Sequence, residues 1–463
     1  MGAAGGAGGS AAPGDGRLSW VQRIAFGGAD LGKNMFWSSM TMFWLFFLTD
    51  VLEIPPATAG LIFLIPLVWD GITDPAMGYI ADRTYTRWGK YRPYLLFGAP
   101  VCALTFLLVF FKPPLGPTGT VYFALAAGLL FRTAYTVIDT PHNALMARAT
   151  SSSHERSLLA GSRMFFAAMA ALVISLAVYP VLMGEGAAEE AERFLVFAAA
   201  GGAVCVTMVW FCFFAFRGTD VARRGDPNQP PPPSIGDIAH MLASNHMLWI
   251  VFAATAVGVM LLPLFGKTLI YFAKYNLGDD KWASVGLTAF SLGAALSIPA
   301  WVLLSHRIGK SRALQASAAL TVLMLLIFYF NPSTDRTLLM SLLLVQGFLG
   351  GGFNVLVWAM APDLVEYGEW KTGKRVEAGV FGFFTLSVKV AVGVGGSLLG
   401  FLLGAIGFVA NRPQSPEVLA NIKLIMCAVP IAGAAIVFVL LFFYKLDHAM
   451  HRRITEELAA RRK

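Results

Sequence analysis

Charge is scarce in this chain. Lys, Arg, Asp and Glu make up 13% of its 463 residues, where a soluble domain carries roughly 25%. Hydrophobic residues make up 57%. So little charge cannot cover the apolar surface in water, which excludes an ordinary soluble body and makes the bilayer the expected solvent. Cysteine is nearly absent too. Cys102, Cys205, Cys212 and Cys427 all fall in apolar stretches, with neither metal-ligand spacing nor the paired pattern of a secreted scaffold, and read as small core residues. No nucleophile–base arrangement, phosphate-binding glycine loop or metal-ligand spacing stands out, so an enzyme is not expected. The first sixteen residues are rich in Gly and Ala and have no basic segment followed by an apolar one. A cleaved signal peptide is therefore not expected, and residues 1–21 read as a disordered tail. The net charge of +8 suits the cytoplasmic loops of a membrane protein rather than nucleic-acid binding.

What the chain has is apolar runs of spanning length. With a window of about 20 residues, twelve segments emerge: 22–50, 57–81, 93–111, 119–147, 159–183, 194–216, 247–273, 283–305, 312–330, 336–361, 377–408 and 420–444. Residues 217–246 between the sixth and seventh are polar and contain Pro230–Pro233. Such a run is extended and hydrated, which makes it a stiff linker. It divides the chain into six spans (22–216) and six spans (247–444), and residues 445–463 form a basic tail, either solvated or helical at the membrane surface.

Basic residues orient the spans. Arg83, Arg87, Lys90 and Arg92 follow span two, and Arg148 and Arg156 follow span four. Arg217, Arg223 and Arg224 lie in the linker, Arg307, Lys310 and Arg312 after span eight, and Lys371, Lys374 and Arg375 after span ten. The opposite loops are poorer in base, and the one with Glu185, Glu189, Glu190 and Glu192 is acidic. Loops after even-numbered spans and both termini are therefore expected on the cytoplasmic side of the cytoplasmic membrane.

Inside the spans the charged residues are Asp30, Lys33, Asp70, Asp74, Arg132, Asp139, Arg163, Lys267 and Lys389. A carboxylate at mid-membrane costs on the order of 3 kcal/mol by insertion scales, so Asp70 and Asp74 in one span need a reason. Four residues apart, they share a helix face about one turn apart. The signs of the whole set nearly cancel, which implies a shared polar cavity where many of the groups pair. Two neighbouring carboxylates suit a small cation or a proton, which relieves both desolvation and mutual repulsion; Thr73 and Thr136 supply neutral oxygens for its shell. Asp70 and Asp74 are thus the candidate metal ligands, for a small hard cation, with a proton as the alternative. Lys389 or Arg163 could swing toward the acids when the cation is absent. Trp69 and Tyr135 could stack on a sugar ring.

The run Trp69-Asp70-Gly71-Ile72-Thr73-Asp74-Pro75, with Gly78, Asp82, Arg87-Trp88-Gly89-Lys90 and Arg92-Pro93, resembles the second span and loop of the glycoside-pentoside-hexuronide cation symporters. Leu31-Gly32-Lys33-Asn34, Tyr135-Thr136-Val137-Ile138-Asp139-Thr140-Pro141, Arg163 with Phe165-Phe166, and Asp363, Glu366 to Trp370, Arg375, Glu377 and Lys389 extend the likeness over both halves. The resemblance implies an all-α membrane protein of the major facilitator fold, with twelve transmembrane helices in two six-helix bundles. It also implies cation binding by Asp70, Thr73, Asp74 and Thr136, sugar binding by Lys33, Asn34, Tyr135, Asp139, Asn143 and Arg163, and coupling of the two through Lys389. In the family's type member, melibiose permease, an aspartate stands at Asn34 and a tryptophan at Asn143, and Thr73 replaces an amide residue. Galactoside specificity therefore does not transfer, and sodium, lithium and proton all stay open.

The expected function is symport of a sugar or glycoside with Na+ or H+ by alternating access. The partners are that solute, the cation and the bilayer, and no further cofactor is needed. A sodium-coupled lysolipid or other organic-solute carrier, and a membrane sensor that has lost transport, are the alternatives.

Overall fold

Each apolar run becomes a helix whose ends are marked by residues that cannot, or need not, continue it. The computed structural model describes residues 18–150, 153–174, 187–219, 243–373, 377–446 and 448–461, with positions 182, 236 and 240. In chain order the helices are α1 (Trp20–Phe46), α2 (Pro56–Asp82), α3 (Arg92–Val109), α4 (Pro117–Ala149), α5 (Ser153–Val173) and α6 (Ala187–Ala215). They continue as α7 (His246–Asn276), α8 (Asp280–Ile308), α9 (Lys310–Phe330), α10 (Arg336–Thr372), α11 (Glu377–Ala405), α12 (Pro416–Leu440) and α13 (His448–Arg461). Ser19 caps α1: its hydroxyl accepts from the Gln22 amide while its own amide donates to the Gln22 side chain. Proline opens α2 and α4 at the first turn, where its missing N–H costs nothing.

α1 and α7 depart from regular helix in the same way. α1 runs into a π turn, Phe47–Val51; α7 breaks at Leu262-Pro263 and also closes in a π turn, Phe272–Asn276. Single π turns widen a helix locally and recur at functional positions.

Ten helices among the described residues are long and apolar enough to cross a membrane, not the twelve expected. α1 and α5 are the two that fall short. Along α1 lie Arg23, Asp30 and Lys33; the described apolar run of α5, Leu158–Val173, stops where the described residues do, and most of the rest of the expected span 159–183 lies outside them. The α1 charges turn inward. Arg23 pairs with Glu155 of α5 at 2.7 Å, so α1 and α5 exchange polar contacts.

α1 packs on α5 and α6, α4 on α2 and α3, and α3 on α6. In the other half α10 packs on α8 and α9, α12 on α9 and α7, and α7 on α11. The main contact between the halves is α2 against α11. Small residues bring these two backbones together: a Cβ on Gly400 would lie 2.5 Å from the Pro56 carbonyl oxygen, and one on Gly60 2.8 Å from that of Ser397. The polar segment 217–246 lies mostly outside the described residues, its proline run entirely so. The tail is not solvated coil. α13 buries Ile454 and Leu458 in a core shared with α7 and α10, and Glu457 accepts a 2.7 Å hydrogen bond from the Trp370 indole.

α8 and α10 meet even more closely, because Gly293, Gly347 and Gly351 leave no side chain between their backbones. A Cβ on Gly347 would overlap the Phe290 carbonyl oxygen. Gly347→Ala is expected to cost about 1–3 kcal/mol by forcing the helices apart. Detergent-solubilised protein should melt several degrees lower; an unchanged midpoint would mean the contact is looser than described.

Candidate functional site

The fold brings the charged residues of α2, α4 and α11 to one point. Asp70 is fully buried and accepts from Arg132 of α4, through Nε at 3.2 Å and through a second guanidinium nitrogen. Lys389 of α11 lies 3.4 Å from Asp70 and also pairs with Asp74. Asp74 accepts a 2.8 Å hydrogen bond from Thr136, whose hydroxyl is 3.4 Å from that of Thr73. The four residues expected around a cation are therefore contiguous. In this structure Arg132 and Lys389 neutralise the two acids, Lys389 in the place expected of it without a cation, while Arg163 pairs with Asp30 instead.

The two acids are unequal. Asp70 is enclosed with the equally buried Arg132, whose guanidinium also faces Trp37 (5.0 Å) and Tyr135 (5.4 Å). The Asp74 side chain is 29% exposed and its partner Lys389 8%. Desolvation locks the first pair more firmly than the second. Among the described residues no group of three or more His, Cys, Asp or Glu could hold a metal ion.

A second cluster lies between α1, α4 and α5. Lys33 reaches Asp139 at 2.6 Å and Asp30 at 3.0 Å. Arg163 reaches Asp30 at 2.6 Å, and the Asn143 amide donates to Asp139 at 3.0 Å. Four of the expected sugar residues (Lys33, Asp139, Asn143, Arg163) thus form one network through Asp30. The other two stand apart from it. Asn34 donates to the Asp30 backbone carbonyl of its own helix at 2.9 Å, and Tyr135 is buried beside Arg132. Unspent capacity remains: Asn143 Oδ1 and both His142 nitrogens are buried without a hydrogen-bond partner. Each can serve a ligand hydroxyl.

A third cluster, at the end carrying the α1–α2, α7–α8 and α11–α12 loops, was not expected from sequence. Asp50, in the π turn after α1, accepts from Lys274 (3.0 Å) and Tyr275 (2.5 Å) in the π turn of α7. Asn411 ties the α11–α12 loop to both, donating to the Asp50 carbonyl at 2.7 Å and to the Tyr275 hydroxyl at 3.0 Å. Thr49 and Tyr271 hydroxyls add a 3.1 Å contact. The signal was available in the equivalent positions of Phe47-Leu48-Thr49-Asp50 and Phe272-Ala273-Lys274-Tyr275 at the ends of the first spans of the two halves. It was masked because both looked like loop edges.

A family model described as MFS/sugar transport protein matches residues 25–448. The chain is 28% identical, over 96% of both chains, to an Escherichia coli K12 protein named "Putative glycoside/cation symporter YagG". It is 30% identical to the isoprimeverose transporter of Lactiplantibacillus pentosus, over 93% of this chain and 89% of that one. Among solved structures it resembles the nucleoside transporter NupG at a TM-score of 0.64, with 15% identity over 92% of this chain and all of the other.

Asp70→Asn strands the buried Arg132 and is expected to destabilise by about 3–5 kcal/mol, as loss of one partner of a buried pair does. Asp74→Asn, at the more open pair, should cost clearly less. Thermal unfolding of the two purified variants checks the order, and a larger loss for Asp74→Asn would contradict the ranking of the two pairs.

Proposed function

Since the chain belongs to the MFS/sugar transport protein family, we propose that it carries a sugar or glycoside together with Na+ or H+ by alternating access. Its relatives are transporters rather than enzymes, and its apolar helices make it an integral membrane protein. The reading takes the α1–α6 and α7–α12 groups as two six-helix bundles, with α1 and α5 as the charged spans that complete twelve. Basic loops assign both termini to the cytoplasmic side of the cytoplasmic membrane.

One observation carries the coupling. Lys389, from the second half, supplies a cation to an acid pair in the first half. An incoming Na+ or H+ competes with that ammonium for Asp74, and its release loosens α11 from α2. Coupling then follows by linkage: a cation that favours one arrangement of the halves raises sugar affinity in that arrangement, and sugar does the same for the cation. The name of the symporter relative supports a cation; nothing distinguishes sodium from proton.

The Lys33–Asp139–Asn143 cluster, with its unpartnered Asn143 oxygen, supports sugar hydroxyls as the cargo groups. Buried polar donors and acceptors of this kind fit a sugar better than a lipid tail. Asp50, Lys274, Tyr275 and Asn411 act in this reading as the seal on the outer face, made when the two π turns meet.

Two experiments test the reading. Proteoliposomes should accumulate radiolabelled sugar under an inward Na+ or H+ gradient, and Asp74→Asn should lose the gradient stimulation; equal rates under every gradient would make the protein a facilitator. Asp50→Asn should weaken the outer seal. With Leu67→Cys as reporter, the four native cysteines being buried, an impermeant maleimide added outside should then react severalfold faster. An unchanged rate would remove the gate.

A further inference from the structure

One intramembrane charge stands outside the ion-pair networks described above. Asp30, Asp70, Asp74 and Asp139 pair with Lys33, Arg132, Arg163 and Lys389. Lys267 of α7 is buried too, yet among the described residues it has no carboxylate partner. Its ammonium lies over the ring of Phe63, 4.6 Å from the centroid. An aromatic face compensates a desolvated charge only in part. The next residue, Thr268, is fully buried with its hydroxyl unpartnered as well.

The Lys267 contact crosses the seam between the halves. Phe63 belongs to α2 and reaches into the second half, where a Cβ on Gly396 of α11 would overlap its ring; on its own side it packs on Trp44, 5.7 Å between centroids. Lys274, seven residues on, is placed alike, over Phe46 at 4.9 Å, but has Asp50 at 3.0 Å in addition. Where the halves meet, two lysines of α7 are thus pressed on aromatic rings of the first half, and only one of them gains a carboxylate. The two contacts have opposite signs in energy. Meeting of the halves gives Lys274 an ion pair, whereas it takes water from Lys267 and returns only a ring. Parting of the halves at this side lets water back to the Lys267 ammonium.

We propose, on the basis of the alternating-access reading above, that Lys267 is the restoring charge of the outer gate, a positioning residue whose desolvation opposes closure and so sets the balance between outward-open and outward-closed protein. Asp50 and its partners hold the gate shut. Lys267 works against them, so that closure stays reversible.

The test needs no sugar. Right-side-out membrane vesicles, washed free of sugar and Na+, carry the full-length protein with Leu67→Cys as reporter, and labelling by an impermeant maleimide is read over the same protein without that cysteine. Lys267→Met keeps the bulk of the side chain and removes its charge. It should slow labelling ~10-fold or more, because the population of the open form falls by the cost no longer relieved on opening. Lys267→Arg, which keeps the charge, should label like wild type. Asp50→Asn should speed labelling, and Asp50→Asn combined with Lys267→Met should fall back toward wild type, since the two act on one equilibrium in opposite directions. Purified Lys267→Met should melt no lower than wild type, because it removes an unpaired buried charge; a large drop would make Lys267 a structural residue and overturn the proposal. Labelling of Lys267→Met that is unchanged or faster overturns it too, as does Lys267→Arg behaving like Lys267→Met. Either result, with fast labelling in Asp50→Asn, leaves alternating access intact. A reporter that no variant exposes removes the proposal together with the reading beneath it.

Discussion

The ion pair between Lys389 and the two carboxylates of α2 is the interaction on which the rest depends. It joins side chains from different halves of the chain, at a depth where neither sign is tolerated alone. Around it everything is arranged in degrees of permanence. Arg132 fixes Asp70 in a closed, fully desolvated pair, whereas the Asp74 side chain is 29% exposed; in the proposed cycle Asp74 is the acid that changes partner. A charge that moves only between compensated positions is what a membrane carrier requires, since an uncompensated carboxylate would cost more than the cycle can supply.

The halves are held together in two further ways with different properties. Along α2 and α11, glycine lets backbones touch, an apolar contact that can rock about its line without breaking. At the α1 and α7 ends the contact is polar and bonded through defined atoms: Asp50 to Lys274 and Tyr275, with Asn411 bridging. Such contacts are made or broken as a unit. A pivot of the first kind beside a latch of the second is the physical basis of the alternating access proposed above. The two π turns provide the latch by widening the ends of helices that hold corresponding places in the two halves.

Much of this was legible in the sequence. Apolar run lengths located the long helices, because in lipid the backbone can satisfy itself only as helix, although α10 runs on past the expected 361 to Thr372 and α6 starts before the expected 194, at Ala187. The cost of Asp70 and Asp74 and the near-cancellation of intramembrane charge announced pairing, which the contacts with Arg132 and Lys389 supply. What the sequence could not give was who pairs with whom. Arg132 belongs to Asp70 because of how α2 crosses α4, and Asn34 turns back to its own helix although its position in the family pattern suggested a ligand. The count of spans among the described residues also differed: Arg23, Asp30 and Lys33 lower the hydropathy of α1, and the expected span 159–183 of α5 runs beyond the described residues. The tail looked solvated because its composition is polar, whereas two apolar residues one turn apart, Ile454 and Leu458, suffice to dock it. The Asp50 cluster escaped notice because it joins three loops far apart in sequence.

The central claim is that a cation and the Lys389 ammonium compete for one acid. It is tested most directly by measuring cation affinity of purified protein without sugar, by isothermal titration of Na+ and by proton uptake, in wild type and Lys389→Gln. Competition predicts that removing the ammonium tightens cation binding, and that Asp74→Asn added to it abolishes binding. Affinity in Lys389→Gln that is unchanged or weaker would contradict the account.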